Sequence, residues 1–407
     1  MLIDFLILIS VSIIGIFIFT QTKDVLHPAF VLATVYFVDV LFFIIIRFVT
    51  RSTYHLNINV FYFVFGILVF YFGTLVATKK HRFIVEPIRE IYTKKASILY
   101  IVFLILQCIV CLLFILDIIS NVNIEQGNRL LQYLNATKSG KYEEKYIFEF
   151  FRTISICLSQ VAIYKLVSKK VLSSYIKYLL IQILVAIIYV IVANNRQMLF
   201  MLIIPVVFTI FYANYNSCRN ILKLVICSIF ILFLIISLQC IIKKQPVSFE
   251  FLRLYLNSGI VSFSEWMKNP TERYNGGYTF RVLFTALSRL KICNIPSYWI
   301  ELRYLDLPHI DWKVGNVYTF YHGFAQDFGI WYAMFIQFLV GIFNGFLYLK
   351  AKTLKSSFWA VILCIFYYPL IMHFFTEQYA SHVSYWIQVF IWVYIATNTT
   401  LLYKMNN

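Results

Sequence analysis

Long apolar runs alternate with short polar connections over most of the chain. A bilayer core about 30 Å thick is crossed by roughly 20 apolar residues of helix. The pattern predicts spans near 2–21, 28–48, 58–78, 98–119, 147–167, 174–193, 197–213, 220–242, 328–349, 357–374 and 383–403, about eleven in all. The runs are too long and too uniformly apolar to be transmembrane strands, which alternate over about ten residues. Segment 197–213 is the shortest and holds Pro205. Two polar stretches stand out, 120–146 and 243–318. The predicted fold class is an all-α polytopic membrane protein, a single integral membrane domain over 1–407. One long, partly helical loop, 243–318, lies between the eighth and ninth spans.

Composition excludes the competing classes. Of 407 residues 61% are hydrophobic, tyrosine included, and 13% are charged, where about a quarter is usual. A soluble domain could not hide that much apolar surface, so a soluble enzyme, a secreted disulfide scaffold and a disordered chain are ruled out. The first span lacks a basic start and a small-residue cleavage site, and reads as a retained helix. Charge sets the expected orientation. Loop 79–97 carries Lys79, Lys80, Arg82, Arg89, Lys94 and Lys95, which assigns it to the cytoplasm. Alternation then puts the N-terminus outside, the C-terminus inside and loop 243–318 on the extracytoplasmic face. Seventeen of the 35 Lys and Arg fall in or beside inner segments. Another seventeen fall outside, ten of them in loop 243–318. The topology rule does not require that outer half of the Lys and Arg, which with 18 Asp and Glu leave a net charge of +17. An anionic ligand on the outer face would explain it, and nucleic acid is not expected.

Familiar site motifs are missing. Cys108 and Cys111 form a C-x-x-C inside an apolar span and read as small hydrophobes on one helix face. There is no G-x-G-x-x-G, P-loop or H-E-x-x-H. Loop 243–318 is too rich in aromatic and aliphatic residues to be disordered. Within it, Phe251 to Trp266 looks amphipathic apart from Arg253 and Glu265, and is expected at the outer membrane interface.

Residues Gly315 to Gly329 read G-N-V-Y-T-F-Y-H-G-F-A-Q-D-F-G. This resembles the N-V-Y-T…D-F-G signature at the end of the large outer loop of Wzy-type oligosaccharide repeat-unit polymerases, which act in O-antigen and capsule synthesis. Tyr255 to Ile260 is similar to a Y-x-x-x-G-I stretch of that family, and Gly277-Tyr278-Thr279-Phe280 to its G-x-Y-T-F-like piece. Asn194-Asn195-Arg196-Gln197 sits where the family often has a small-residue turn carrying Arg; here Asn replaces the usual serines.

The resemblance implies an enzyme of the bacterial plasma (inner) membrane with its active site on the extracytoplasmic face. Such a membrane glycosyltransferase joins undecaprenyl-pyrophosphate-linked oligosaccharides, and an acceptor hydroxyl attacks the donor's anomeric carbon as undecaprenyl pyrophosphate leaves. Membrane lipid surrounds the reaction, and a chain-length regulator is a further expected partner. Charge growing on the leaving pyrophosphate can be stabilised by Arg, whose planar fork grips phosphate oxygens. Arg196, Arg281, Arg289 and Arg273 are the candidates; Arg281 and Arg289 are eight residues apart, close to one face of a helix over 281–289. No pair of carboxylates suggests a metal site, so no metal and no cofactor are expected. For a base, His322 and Asp327 are the candidates, with helix-start capping the competing role for Asp327. Glu377, His373 and His382 form a second set. Asn316, Tyr318, Tyr278 and Trp312 are placed to meet sugars, though aromatics also line membrane interfaces. Asp39 with Arg47, and Glu149 with Arg152, are expected as structural charges within spans. The competing functions are an O-antigen ligase on a similar scaffold and a polysaccharide flippase or transporter.

Overall fold

The computed structural model describes residues 2–78, 95–96, 98–121, 145–168, 173–193, 196–213, 256–268, 270, 274–292, 317–354, 356–398 and 403–404. It is helical almost throughout, as the hydropathy pattern predicts. The long helices are α1 (Leu2–Thr22), α2 (Pro28–Thr50), α3 (Phe61–Thr78), α4 (Ile98–Asn121), α5 (Tyr146–Val167), α6 (Ser173–Ala193) and α7 (Arg196–Ala213). Three short helices follow, α8 (Ser258–Trp266), α9 (Arg281–Arg289) and α10 (Tyr321–Phe328). The chain closes with α11 (Ile330–Thr353), α12 (Ser357–Ile371) and α13 (Val383–Asn398). A two-residue antiparallel ladder pairs Lys95–Ala96 with Tyr403–Lys404.

Among the described residues, eight helices are long and apolar enough to cross a membrane, which makes this a multi-pass membrane protein. They match eight of the eleven expected spans. Two more, Gln197–Ala213 and Val383–Thr397, are apolar but shorter. Seventeen residues of helix reach only about 26 Å, less than the hydrocarbon core. The expected span 220–242 lies outside the described residues. So do the cations at 79–94, on which the orientation rests.

The chain divides into two compact units. The first comprises Met1–Arg82, Ile235–Leu349 and Pro369–Val383. Its α2 starts as the sequence dictates, with the His27 ring capping the Ala29 N–H at 3.3 Å and Pro28 in the first turn, where its missing N–H costs nothing. Arg47 bonds Asp4 at 2.6 Å, and Asp4 also accepts from the Leu56 N–H and contacts His55. Asp39, buried on the same helix, meets Asn257 instead, at 3.0 Å. Two polar residues of one span thus take two different partners, and Asp39 Oδ2 stays buried without a hydrogen bond.

Helix α8 corrects the expectation for Phe251–Trp266. Its nine residues are all buried, so this part is core and not a membrane-interface segment. Phe263 stacks in a ring ladder with Phe63, which also stacks on Tyr36 and Tyr321. Glu265 accepts from the Tyr54 hydroxyl at 2.7 Å and pairs with Lys268. Gly259 lets the helix approach the chain at Phe374; a Cβ there would stand 2.2 Å from that carbonyl. The apolar surface that suggested a lipid contact is spent on protein.

The second unit comprises Phe83–Leu234, Lys350–Tyr368 and Ser384–Asn407. Its polar core links three helices: Gln107 on α4 accepts from Ser155 on α5 at 2.7 Å and from Gln182 on α6 at 2.9 Å. Arg152 on α5 is buried and Glu149 exposed. Gln160 donates to the Leu202 carbonyl at 2.9 Å, just ahead of Pro205 in α7. Cys111 is buried and Cys108 partly so, both as free thiols within α4.

Candidate functional site

The first unit gathers the chemistry. Three segments meet: the turn 274–280 that leads into α9, the short helix α10, and the loop 375–382 that follows α12. Tyr274 N–H donates to the Gln326 carbonyl at 3.1 Å. Asp327, fully buried near the end of α10, accepts the N–H groups of Tyr278 (3.2 Å) and Thr279 (2.7 Å) and the Thr279 hydroxyl. Both its oxygens therefore fasten the turn to the helix. The Tyr278 ring lies flat against α10 because residue 323 is glycine; a Cβ there would stand 2.2 Å from the ring.

Loop 375–382 is organised by Glu377. Its carboxylate accepts the backbone N–H groups of Tyr379, Ala380 (2.6 Å) and Ser381 (2.9 Å), and the Tyr278 hydroxyl at 3.0 Å. Burial drives its pKa up, against the four donors that pull it down. Burial, and then the nearby Glu377, push the Tyr278 phenol well up. Arg281, the first residue of α9, donates from Nη2 to the Ser381 carbonyl at 3.1 Å. A half-buried guanidinium thus stands beside the Tyr278–Glu377 pair. It also faces His382, whose pKa falls to about 4, first by burial and then by this cation.

His322 lies elsewhere on α10. Its ring stacks on Tyr318 at 4.0 Å and meets the Trp266 ring edge-on at 4.8 Å. Nδ1 is buried without a hydrogen-bond partner. Burial pushes the imidazole down to about 3, so it is neutral at physiological pH. The ring of His373 stacks on Phe320 at 4.1 Å, with neither nitrogen hydrogen-bonded. Among the described residues no three His, Cys, Asp or Glu stand close enough to hold a metal ion. Among the described residues the Arg281 cation and the Tyr278 phenol held by Glu377 stand together, while the neutral His322 imidazole sits apart in an aromatic wall.

One relative bears on this arrangement. Over 186 residues the chain is 28% identical to an O-antigen polymerase of Shigella dysenteriae. The match takes in 43% of this chain and 46% of that protein, so the chain spans about half the length of the curated relative it matches. No protein-family model matches the chain, and no solved structure does.

The residues singled out in the sequence fall into five groups. Arg281, Tyr278 and Asp327 come together with Glu377 and His382 of the second set, whose His373 stacks on Phe320 instead. His322 and Tyr318 pair with each other and with Trp266. Arg289 stands exposed at the far end of α9. Arg196 opens α7, in the second unit; Arg273, Asn316 and Trp312 lie outside the described residues. Sequence reasoning overlooked Thr279 and Ser381. The signal for Ser381 was present: an acid followed four residues on by Ser, just before a helix, is a local capping pattern.

Proposed function

We propose that this protein polymerises undecaprenyl-pyrophosphate-linked oligosaccharide repeat units into O-antigen or capsular polysaccharide at the outer face of the plasma membrane. The similarity to the Shigella O-antigen polymerase carries this reading. The bond formed joins an acceptor sugar hydroxyl to the donor's anomeric carbon. The bond broken is that from the anomeric carbon to the pyrophosphate oxygen, and the hydroxyl proton passes to water. The leaving group gathers negative charge, and Arg281 is the cation assigned to it in the first unit. Arg196 is the second arginine to be tested. A neutral imidazole with a conjugate acid near 3 is a poor store for a proton, so His322 orients the attacking hydroxyl by accepting its hydrogen bond. Tyr278 and Tyr318 offer ring faces to the sugars, with Asp327 and Glu377 holding Tyr278 and the His322 ring stacked on Tyr318.

Gene deletion in the host tests the reading. Long polysaccharide should vanish while single repeat units still reach the cell surface. Lipid-linked units accumulating in the cytoplasm would indicate a flippase instead. Loss of all surface sugar, single units included, with free polymer retained, would indicate a ligase. Purified protein given synthetic lipid-linked repeat units, with and without EDTA, reads the metal requirement directly.

A further inference from the structure

Helix α9 is an amphipathic segment with no fully buried residue; Phe284 and Leu287 are half-buried and its other apolar residues exposed. At 100° per residue, Leu283, Phe284 and Leu287 lie on one arc. Arg281, Thr285, Ser288 and Arg289 lie on the opposite arc. A surface helix ordinarily packs its apolar arc on the protein, yet α9 has no buried residue. Leu283 is 53% exposed, and the flanking Phe280, Leu290 and Ile292 are 44%, 69% and 67% exposed. Such a face needs an apolar medium.

Two observations say which. The first is continuity with the bilayer. Trp331, Phe335 and Leu339 form an exposed ridge at helical spacing along the span Ile330–Thr353. Exposed Phe328 stands just before it. Phe280, at the start of α9, lies beside Phe328: a Cβ on Gly276 would be 3.0 Å from the one ring and 3.1 Å from the other. The apolar side of α9 therefore begins beside the end of the exposed ridge of the span, next to Trp331. The second is charge. Arg289 and Lys291 close the helix as exposed or solvent-facing cations, the composition of a segment that lies on an anionic surface.

We propose that α9 is an interfacial helix, seated on anionic phospholipid at the membrane surface on the side of the site. Its apolar arc enters the headgroup boundary, and Arg289 and Lys291 meet lipid phosphates. This gives Arg289 a ligand other than the substrate. It also gives the membrane a hold on the site, because the first residue of the same helix is Arg281, bonded to the Ser381 carbonyl.

The test uses the full-length protein in liposomes of phosphatidylcholine with phosphatidylglycerol, without substrate. Spin labels are placed by Leu283→Cys and by Ser288→Cys, in a background whose reactive native cysteines are replaced by serine. The label at 283 should be reached by dissolved oxygen and shielded from a water-soluble nickel chelate, and the label at 288 the reverse. Equal access of the chelate to both positions overturns the proposal. The label at 283 should shift toward water in phosphatidylcholine alone, and in the double variant Arg289→Gln with Lys291→Gln. Depth unchanged in both removes anionic lipid as the partner. Hydrogen exchange of the unaltered protein over 280–292, slower with phosphatidylglycerol than without, guards against damage from the cysteine replacements; no difference again counts against the proposal. None of these measurements reads turnover, so the result is independent of the polymerase reading.

Discussion

Arg281 is where charge and position coincide, and its loss should be felt in the chemical step. A donor aimed at developing charge in a dry site is worth about 2–4 kcal/mol. Arg281→Gln should therefore lower the rate of polymer formation by about 10²–10³, measured with synthetic donor and acceptor. Arg281→Lys should recover only part, since an ammonium lacks the planar fork. His322 makes a different prediction. Its folded pKa of about 3 lies below the ordinary 6.5, so the unfolded state binds the proton more readily. The stability linked to His322 is then complete above pH 6.5 and is lost as pH falls toward 3. Thermal unfolding of the protein in detergent should show the midpoint dropping across that window. His322→Gln should flatten the slope, with the part due to His382 remaining. The rate profile should show no inflection near 6.5 from this imidazole. The residue types at 281 and 322 were legible in the sequence, as one of several Arg of the long loop and a His just before a span. Their surroundings were not: a pKa lowered by burial depends on Trp266 and Tyr318, and the contact with Trp266 spans more than fifty residues of chain.

At the scale of elements, three short segments are fixed to one another by two carboxylates. Asp327 holds the turn 274–280 and Glu377 holds loop 375–382, and the Tyr278 hydroxyl ties the second to the first. Hydrogen bonds to a charged acceptor contribute about 1.5–3 kcal/mol, and a buried acceptor left without a donor costs about 1–3 kcal/mol. Tyr278→Phe should accordingly lower stability by about 1–3 kcal/mol, read by denaturant or heat, and raise KM for the acceptor. Gly323→Ala should do more, because the new methyl meets the Tyr278 ring and the turn must leave the helix. Helix periodicity announced the long helices and α9. It misread α8, whose apolar residues face protein. An amphipathic pattern states that one side is greasy and does not say whether lipid or protein covers it. Asp327 was legible as a residue of the D-F-G signature, and the sequence offered capping of a helix start as its alternative to a base. The structure places it near the end of α10, capping a turn almost fifty residues away, a pairing that no local spacing encodes.

For the whole molecule, the open quantity is which way the helices run through the membrane. The eight described spans and two shorter apolar helices supply the apolar length, and their basic flanks supply the direction. Lys350 and Lys352 lie in the last turn of α11, while the N-terminal end of that helix adjoins α10 and the candidate site. Cations next to spans are retained on the cytoplasmic side. The end of α11 that carries two lysines should then be inside, and the end that meets Phe328 and Trp331 outside. That direction puts the site on the outer face, as the proposed polymerisation requires, and the following loop, 375–382, must return to the same face after α12. Both requirements can be measured together. Cysteines introduced at Ser356 and at Ser381 should label oppositely with a membrane-impermeant maleimide in intact cells stripped of their outer barrier. The position at 381 should react at once, and the position at 356 only after the membrane is opened. Reaction at 356 first would place Arg281, Glu377 and His382 in the cytoplasm. A polymerase acting on the outer face could not use them there, so this single reversal would remove the proposed site while leaving the fold intact.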